Sequence, residues 1–189
     1  MNIRRHSRLL PLVIFPVAAL ALTACGNATP AASTATTSTT AAPATGSGGS
    51  PTLASIPAND RSQPGTSGTA PTVVVPSGAP PTKLESADLI PGNGATAKSG
   101  DNVTVQYVLA TYSSGQVIQS SWTSQPFSFT LGAGQVIPGW DAGVVGMQVG
   151  GRRELIIPPN LGYGANSPGA GISANDTLVF VIDLLKVTT

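Results

Sequence analysis

Residues 102–112 read NVTVQYVLATY, with Val103, Val105, Tyr107 and Leu109 alternating against Thr104, Gln106 and Val108. A period of two sustained over that length predicts a long half-buried strand. Ser113, Ser114 and Gly115 supply a turn, so residues 116–120 are expected to return as the hairpin partner. The stretch PFSFTL repeats the alternation through Phe127, Phe129 and Leu131. Residues 152–157 and 177–187 give two further strands, the second interrupted by charge only at Asp183. Only residues 140–149 carry a helical pattern, and Gly143 and Gly146 each weaken it by about 1 kcal/mol relative to alanine. Such a helix needs tertiary packing to exist. The economical solution is an α+β domain, an antiparallel sheet curved around one short helix.

The start of that helix lies in VIPGWDAGVVGM, residues 136–147. Pro138 and Gly139 form the turn into it, and Asp141 in the first turn suits the positive end of the helix dipole. Trp140 stands where strand and helix meet, at the base of any hollow the sheet makes. Taken alone, a tryptophan there is core filling. Seven further aromatics follow residue 72, namely Tyr107, Tyr112, Trp122, Phe127, Phe129, Tyr163 and Phe180. They come from almost every predicted element, and an apolar cleft lined by them suits a small apolar ligand or side chain.

Composition then divides the chain. Arg4, Arg5 and Arg8 precede an apolar run over residues 9–22, which ends in Leu22, Thr23, Ala24 and Cys25. The run is shorter than the roughly 18 residues of a membrane-spanning helix, and Pro11 and Pro16 interrupt it. Residues 1–24 are therefore expected to be a secretion signal. The ending LTAC resembles a bacterial lipobox, which implies lipidation of Cys25, a membrane attachment through that lipid alone and a location on the outer side of the cell membrane. Residues 25–71 are almost wholly Ala, Thr, Ser, Gly and Pro without periodic bulky side chains, and are expected to be a disordered tether. Its reach as a flexible coil is roughly 40 Å. Residues 72–189 hold nearly all the remaining bulky apolar side chains, enough for one core.

Cys25 is the only cysteine and His6 the only histidine, and both lie at or before the tether. A folded domain without either residue excludes an internal disulfide, a thiolate or imidazole zinc site, and Ser-His-Asp or Cys-His catalysis. Beyond the signal, six basic residues face eight acidic ones, so no basic surface invites nucleic acid. GNGATA and GAGQVI lack the third glycine and the strand-turn-helix setting of a nucleotide loop. No metal or cofactor is expected.

QVIPGWDAGVVGMQVGGRRELIIPPNLGYG, followed by NDTLVFVIDLLKV, is similar to the FKBP-type peptidyl-prolyl cis-trans isomerases. The resemblance runs in order from about Pro81 to the end and includes DLIPGNGATAKSGDNVTVQYVLATYSSGQVIQSSW. It implies a curved antiparallel sheet of five or six strands around the helix at Trp140. It also implies a proline pocket formed by Tyr107, Phe127, Val136, Ile137, Trp140, Tyr163 and Phe180. Trp140 would be the floor, and the Ile137 N–H and Tyr163 hydroxyl would hold substrate carbonyls. Phe129 is a lining residue or a core neighbour, and Ile172 belongs to the rim.

The pattern departs from the family at three places. An aspartate that polarises the twisted amide corresponds to Gln119, the aromatic before it to Ile118, and the rim loop GANSPGAGISAND differs at Pro168, Gly171 and Ile172. The expected activity is rotation of X-Pro bonds in exported proteins, by a monomer that also takes macrolides as ligands. A proline-peptide binding module with weak catalysis, or a chaperone with the same pocket, is the alternative.

Overall fold

A computed structural model describes residues 53–189. The expected signal, Cys25 and the first part of the tether lie outside the described residues. The long alternating segment forms β3 (Asn102–Thr111), the centre of the sheet. The hairpin return is β4 (Val117–Ser120), and PFSFTL provides β5 (Phe127–Thr130). β6 (Arg152–Ile157) and β7 (Leu178–Thr188) are the remaining expected strands. Two more join them, β2 (Glu85–Ile90) and the two-residue β1 (Ala54–Ser55).

The order is β1-β2-β6-β7-β3-β4, with β5 also on β3. β7 lies antiparallel along one whole side of β3, while β5 pairs with residues 102–105 and β4 with residues 108–110 on the other. Every pairing is antiparallel except β1 with β2. The sheet is thus mixed and has seven strands, where five or six antiparallel ones were expected. The added parallel strand comes from the segment expected to be tether.

Helix α1 is Pro138–Gly143, six residues instead of the ten expected over 140–149. Proline is tolerated at the first helical position because the N–H it lacks would have no partner there. The helix stops because Gly146 turns the chain at φ 82°. Its glycines nevertheless have a packing reason. A Cβ on Gly139 would lie 2.5 Å from Ile157, and one on Gly143 2.5 Å from Leu155. The residues that weaken the helix locally allow it to approach β6.

Alternation along the strands sends Val103, Val105, Leu109, Leu155, Ile157, Phe180 and Ile182 to the concave, helix-bearing face. The convex face is also buried. Ile56 packs there on Ala87, Ile156 and Val179, flanked by Val73, Val75 and Tyr112. Ser62 gives its N–H and hydroxyl to the two Glu154 carboxylate oxygens, at 2.8 and 2.6 Å. Arg152 pairs with Asp183 and donates to the carbonyls of Pro64 and Thr69, both at 2.7 Å.

Residues 56–75 therefore form a strap across the convex face, continuing from β1 at the sheet edge, and the expected boundary at residue 72 lies too late. The expectation of disorder fails for residues 53–71 because Ile56, Ser62 and the backbone carbonyls of Pro64 and Thr69 are enough to dock them. None of those features makes a periodic pattern.

Candidate functional site

Trp140 is the centre of the concave cluster and is 1% exposed. The rings of Tyr107 and Phe180 meet it edge-on, each at 5.2 Å and at 82° and 83°. Phe127 stands edge-on at 6.2 Å and Phe129 is tilted at 5.6 Å. Edge-to-face geometry places positive ring edges on negative ring faces, which fixes the rings relative to one another. Strands from across the sheet and the helix start thus deliver side chains to one point.

Exposure grades across the cluster. Tyr107, Phe129, Phe180, Val136, Ile137 and Ile172 are all buried, and Phe127, Tyr163 and Ile118 are half-buried. Phe129 stacks on Phe127 at 5.6 Å while being 3% exposed itself, so it supports the site from the core. Ile118 reaches the rim loop, where a Cβ on Gly171 would lie 3.2 Å from it. Ile172 is fixed by the bridge to Gly169 and by the Ser167 hydroxyl on its carbonyl. Gln119 lies opposite Leu109 on β4, half-buried. Apart from Gln119, the sequence-expected residues belong to that apolar cluster or pack against it, and of the aromatics Tyr112 and Trp122 do not. Tyr112 belongs to the convex cluster, and Trp122 lies under the Arg152 guanidinium at 6.0 Å.

The polar groups are few and oriented. The carbonyl of Ile137 accepts from the N–H groups of Trp140 and Asp141, at 2.9 and 3.4 Å, while its own N–H meets no acceptor among the described residues. Tyr107 is set by Ser121, whose Oγ accepts the Tyr107 N–H at 2.8 Å and donates to Gln106. Burial, with a smaller contribution from the neighbouring Tyr163, pushes the Tyr107 hydroxyl up to about 12. Burial also raises Tyr163. Both hydroxyls stay protonated at neutral pH and act as donors rather than bases. Among the described residues no cluster of metal ligands occurs.

A residue that sequence reasoning placed without this role is Asp141. Its carboxylate accepts the N–H groups of Gly132 and Gly134, at 2.8 and 3.0 Å, and ties the preceding loop to the helix. Glycines flanking a helix start were the available signal.

The family model for FKBP-type peptidyl-prolyl cis-trans isomerase matches residues 93–185, which leaves out β1, the strap and β2. An FK506-binding protein of Streptomyces anulatus is 50% identical over 119 residues, 62% of this chain and 96% of the relative. FK506-binding protein 2B of Rhizopus delemar is 45% identical over 113 residues, 57% of this chain and 54% of the relative. Among solved structures, FkpA from Escherichia coli superposes with a TM-score of 0.51 at 38% identity, covering 57% of this chain and 49% of that one. AtFKBP13 superposes with a TM-score of 0.51 at 32% identity, covering 58% and 96%.

Proposed function

Because the chain belongs to the FKBP-type peptidyl-prolyl cis-trans isomerase family, we propose that it accelerates X-Pro bond rotation by binding proline in the concave aromatic site. The observation that carries this reading is the aromatic floor at Trp140 beside an Ile137 N–H that meets no acceptor among the described residues. A proline ring is apolar and flat enough to rest on such a floor. The carbonyl next to it needs one fixed donor.

The barrier to amide rotation is roughly 18–20 kcal/mol, because rotation breaks the C–N resonance. No nucleophile or base is required to lower it. The planar amide carries separated charge that an apolar wall solvates poorly, whereas the twisted amide has lost that separation. An apolar site that excludes water therefore binds the twisted form better than either planar one, which is how rate is gained, and the donors hold the carbonyl in planar and twisted forms alike. About 1.4 kcal/mol of such preference is worth tenfold. Trp140 and Phe180 make the floor, Phe127 and Val136 the walls, and Ile137 N–H and Tyr163 hydroxyl the carbonyl donors. Tyr107 closes the inner end, and Ile118 and Ile172 bound the mouth.

Exchange NMR on the peptide Ala-Leu-Pro-Phe tests the activity. Line broadening between cis and trans signals at catalytic amounts of the chain is the expected result, and no acceleration at high concentration overturns it. Gln119 favours a second reading, a proline-peptide binding module, since an uncharged amide cannot supply the field of an aspartate. A large rate increase in Gln119→Asp supports that reading. An unchanged rate removes it.

The clients proposed are proline-containing segments of exported proteins, and a macrolide of the FK506 kind is a proposed competing ligand. The basic, apolar and LTAC segments up to Cys25 support export and lipid anchoring outside the cell membrane. Labelling with a palmitate analogue, lost in Cys25→Ala, checks the anchor.

A further inference from the structure

The loop that leads to the proposed donor has little to hold it, whereas Val136 and Ile137 at its end are buried in the core cluster. Residues 132–135 are exposed, and Gly132 and Gly134 adopt φ of 78° and 66°, in the left-handed region that glycine tolerates and other residues resist. At its start, Leu131 is fixed by its N–H to the Asp101 carbonyl and by its carbonyl to the Gly100 N–H, at 2.9 and 2.8 Å. At its end, the Ile137 carbonyl receives the Trp140 N–H at 2.9 Å. Between these points the tip is gripped by Asp141, one carboxylate oxygen on Gly132 N–H and the other on Gly134 N–H. Gln135 Oε1 accepts the Thr130 N–H at 2.9 Å, and the Ala133 N–H meets the Thr130 carbonyl at 3.4 Å.

Resting on the isomerase reading of the site, we propose that Asp141 is a positioning residue, which sets the direction of the Ile137 N–H by clamping the loop before it. The side chain follows Trp140 directly, so floor and donor share one anchor. Bonds from two N–H groups to a carboxylate are stronger than neutral ones and hold both glycines in one geometry. Without them the loop samples other conformations, and the donor meets the substrate carbonyl in only a fraction of them. The loss falls on binding of planar and twisted amide alike.

Such a loss raises KM and leaves kcat nearly unchanged. In Asp141→Ala of the full chain, KM is expected to rise about fivefold or more with kcat within about twofold. Asp141→Asn keeps one acceptor oxygen and is expected to fall between. Gly134→Ala is expected to act like Asp141→Ala, since its Cβ meets nothing within 4 Å and only the backbone preference changes. Amide NMR reads the loop without substrate. The Gly132, Gly134 and Ile137 resonances should shift in Asp141→Ala, while those of β6 and β7 stay in place. An unchanged KM, or an Ile137 amide that does not move, overturns the proposal. An inactive wild-type chain would overturn the isomerase reading instead, and the amide shifts would still decide whether Asp141 holds the loop.

Discussion

On the concave face of the sheet, α1 lies on Leu155 and Ile157 beneath an aromatic cluster, whereas on the convex face a strap with little regular structure covers Ile156 and Val179. The first face is apolar throughout and leaves Phe127, Tyr163 and Ile118 half-open at one end. The second is fastened by charge, with Glu154 and Arg152 almost fully buried and each holding the strap by hydrogen bonds. Neighbouring residues on one strand therefore serve two different layers. The proposed binding lies on the side where packing is aromatic and unfinished. The convex side is finished by the chain itself, and its substitution should alter stability without altering the site.

The largest effect is expected from Trp140→Ala. Loss of a fully buried tryptophan is expected to cost about 3–5 kcal/mol of stability, measured by urea unfolding. Peptide affinity should fall tenfold or more, by about the value of one aromatic anchor. Trp122→Ala, at the Arg152 guanidinium, should leave the affinity of the folded protein within about twofold. Equal losses of affinity from the two would end the division between the faces.

Ile56→Ala asks the converse. It removes the apolar anchor of the strap, 0% exposed, and should cost about 2–4 kcal/mol in urea unfolding. Below the unfolding transition kcat/KM should match the wild type. A fall in kcat/KM there would mean the faces are coupled.

Tyr163→Phe has a smaller effect on the other side. Removing one donor should weaken peptide binding by about 0.5–1.5 kcal/mol, read by NMR titration, and leave the melting temperature nearly unchanged.

The smallest expected effect is the pH dependence of Glu154. Burial raises its pKa above the usual 4.5, against the hydrogen bonds from Ser62 and the Arg61 charge, which lower it. The folded state then holds the proton more tightly than the unfolded state. The associated stability is complete below about 4.5 and is lost as pH rises through the folded-state value. Glu154→Gln should flatten that decline in a series of thermal melts. A decline that persists unchanged assigns it to another group.

Much of the concave side is legible in the sequence because regular strands impose a period of two. Alternation alone assigns Val103, Val105, Tyr107 and Leu109 to one face of β3, and Phe127 and Phe129 to one face of β5. Phe180 and Tyr163 are assigned to the proposed site through the family resemblance, since no local pattern says that β7 and the segment after β6 meet in one cluster. The helix is shorter than its pattern suggests because apolar residues at 144, 145, 147 and 149 continue a helical spacing that Gly146 ends. The strap escapes a sequence reading for a different reason. Its anchors are Ile56, Ser62, Val73 and the carbonyls of Pro64 and Thr69, and a backbone carbonyl has no signature in composition.

Side-chain period and residue type are local properties, and they suffice to specify the five main strands and the neighbourhood of the one short helix, though not its length. They also specify a domain free of histidine and thiol chemistry, and the tryptophan at the helix start. Tertiary packing was needed to make Gly139 and Gly143 places of close approach, to bring Asp141 onto the loop before it, and to seat a strap on Arg152 and Glu154. Each of these depends on atoms distant along the chain, or on backbone groups every residue carries, and is settled only when the layers are packed together.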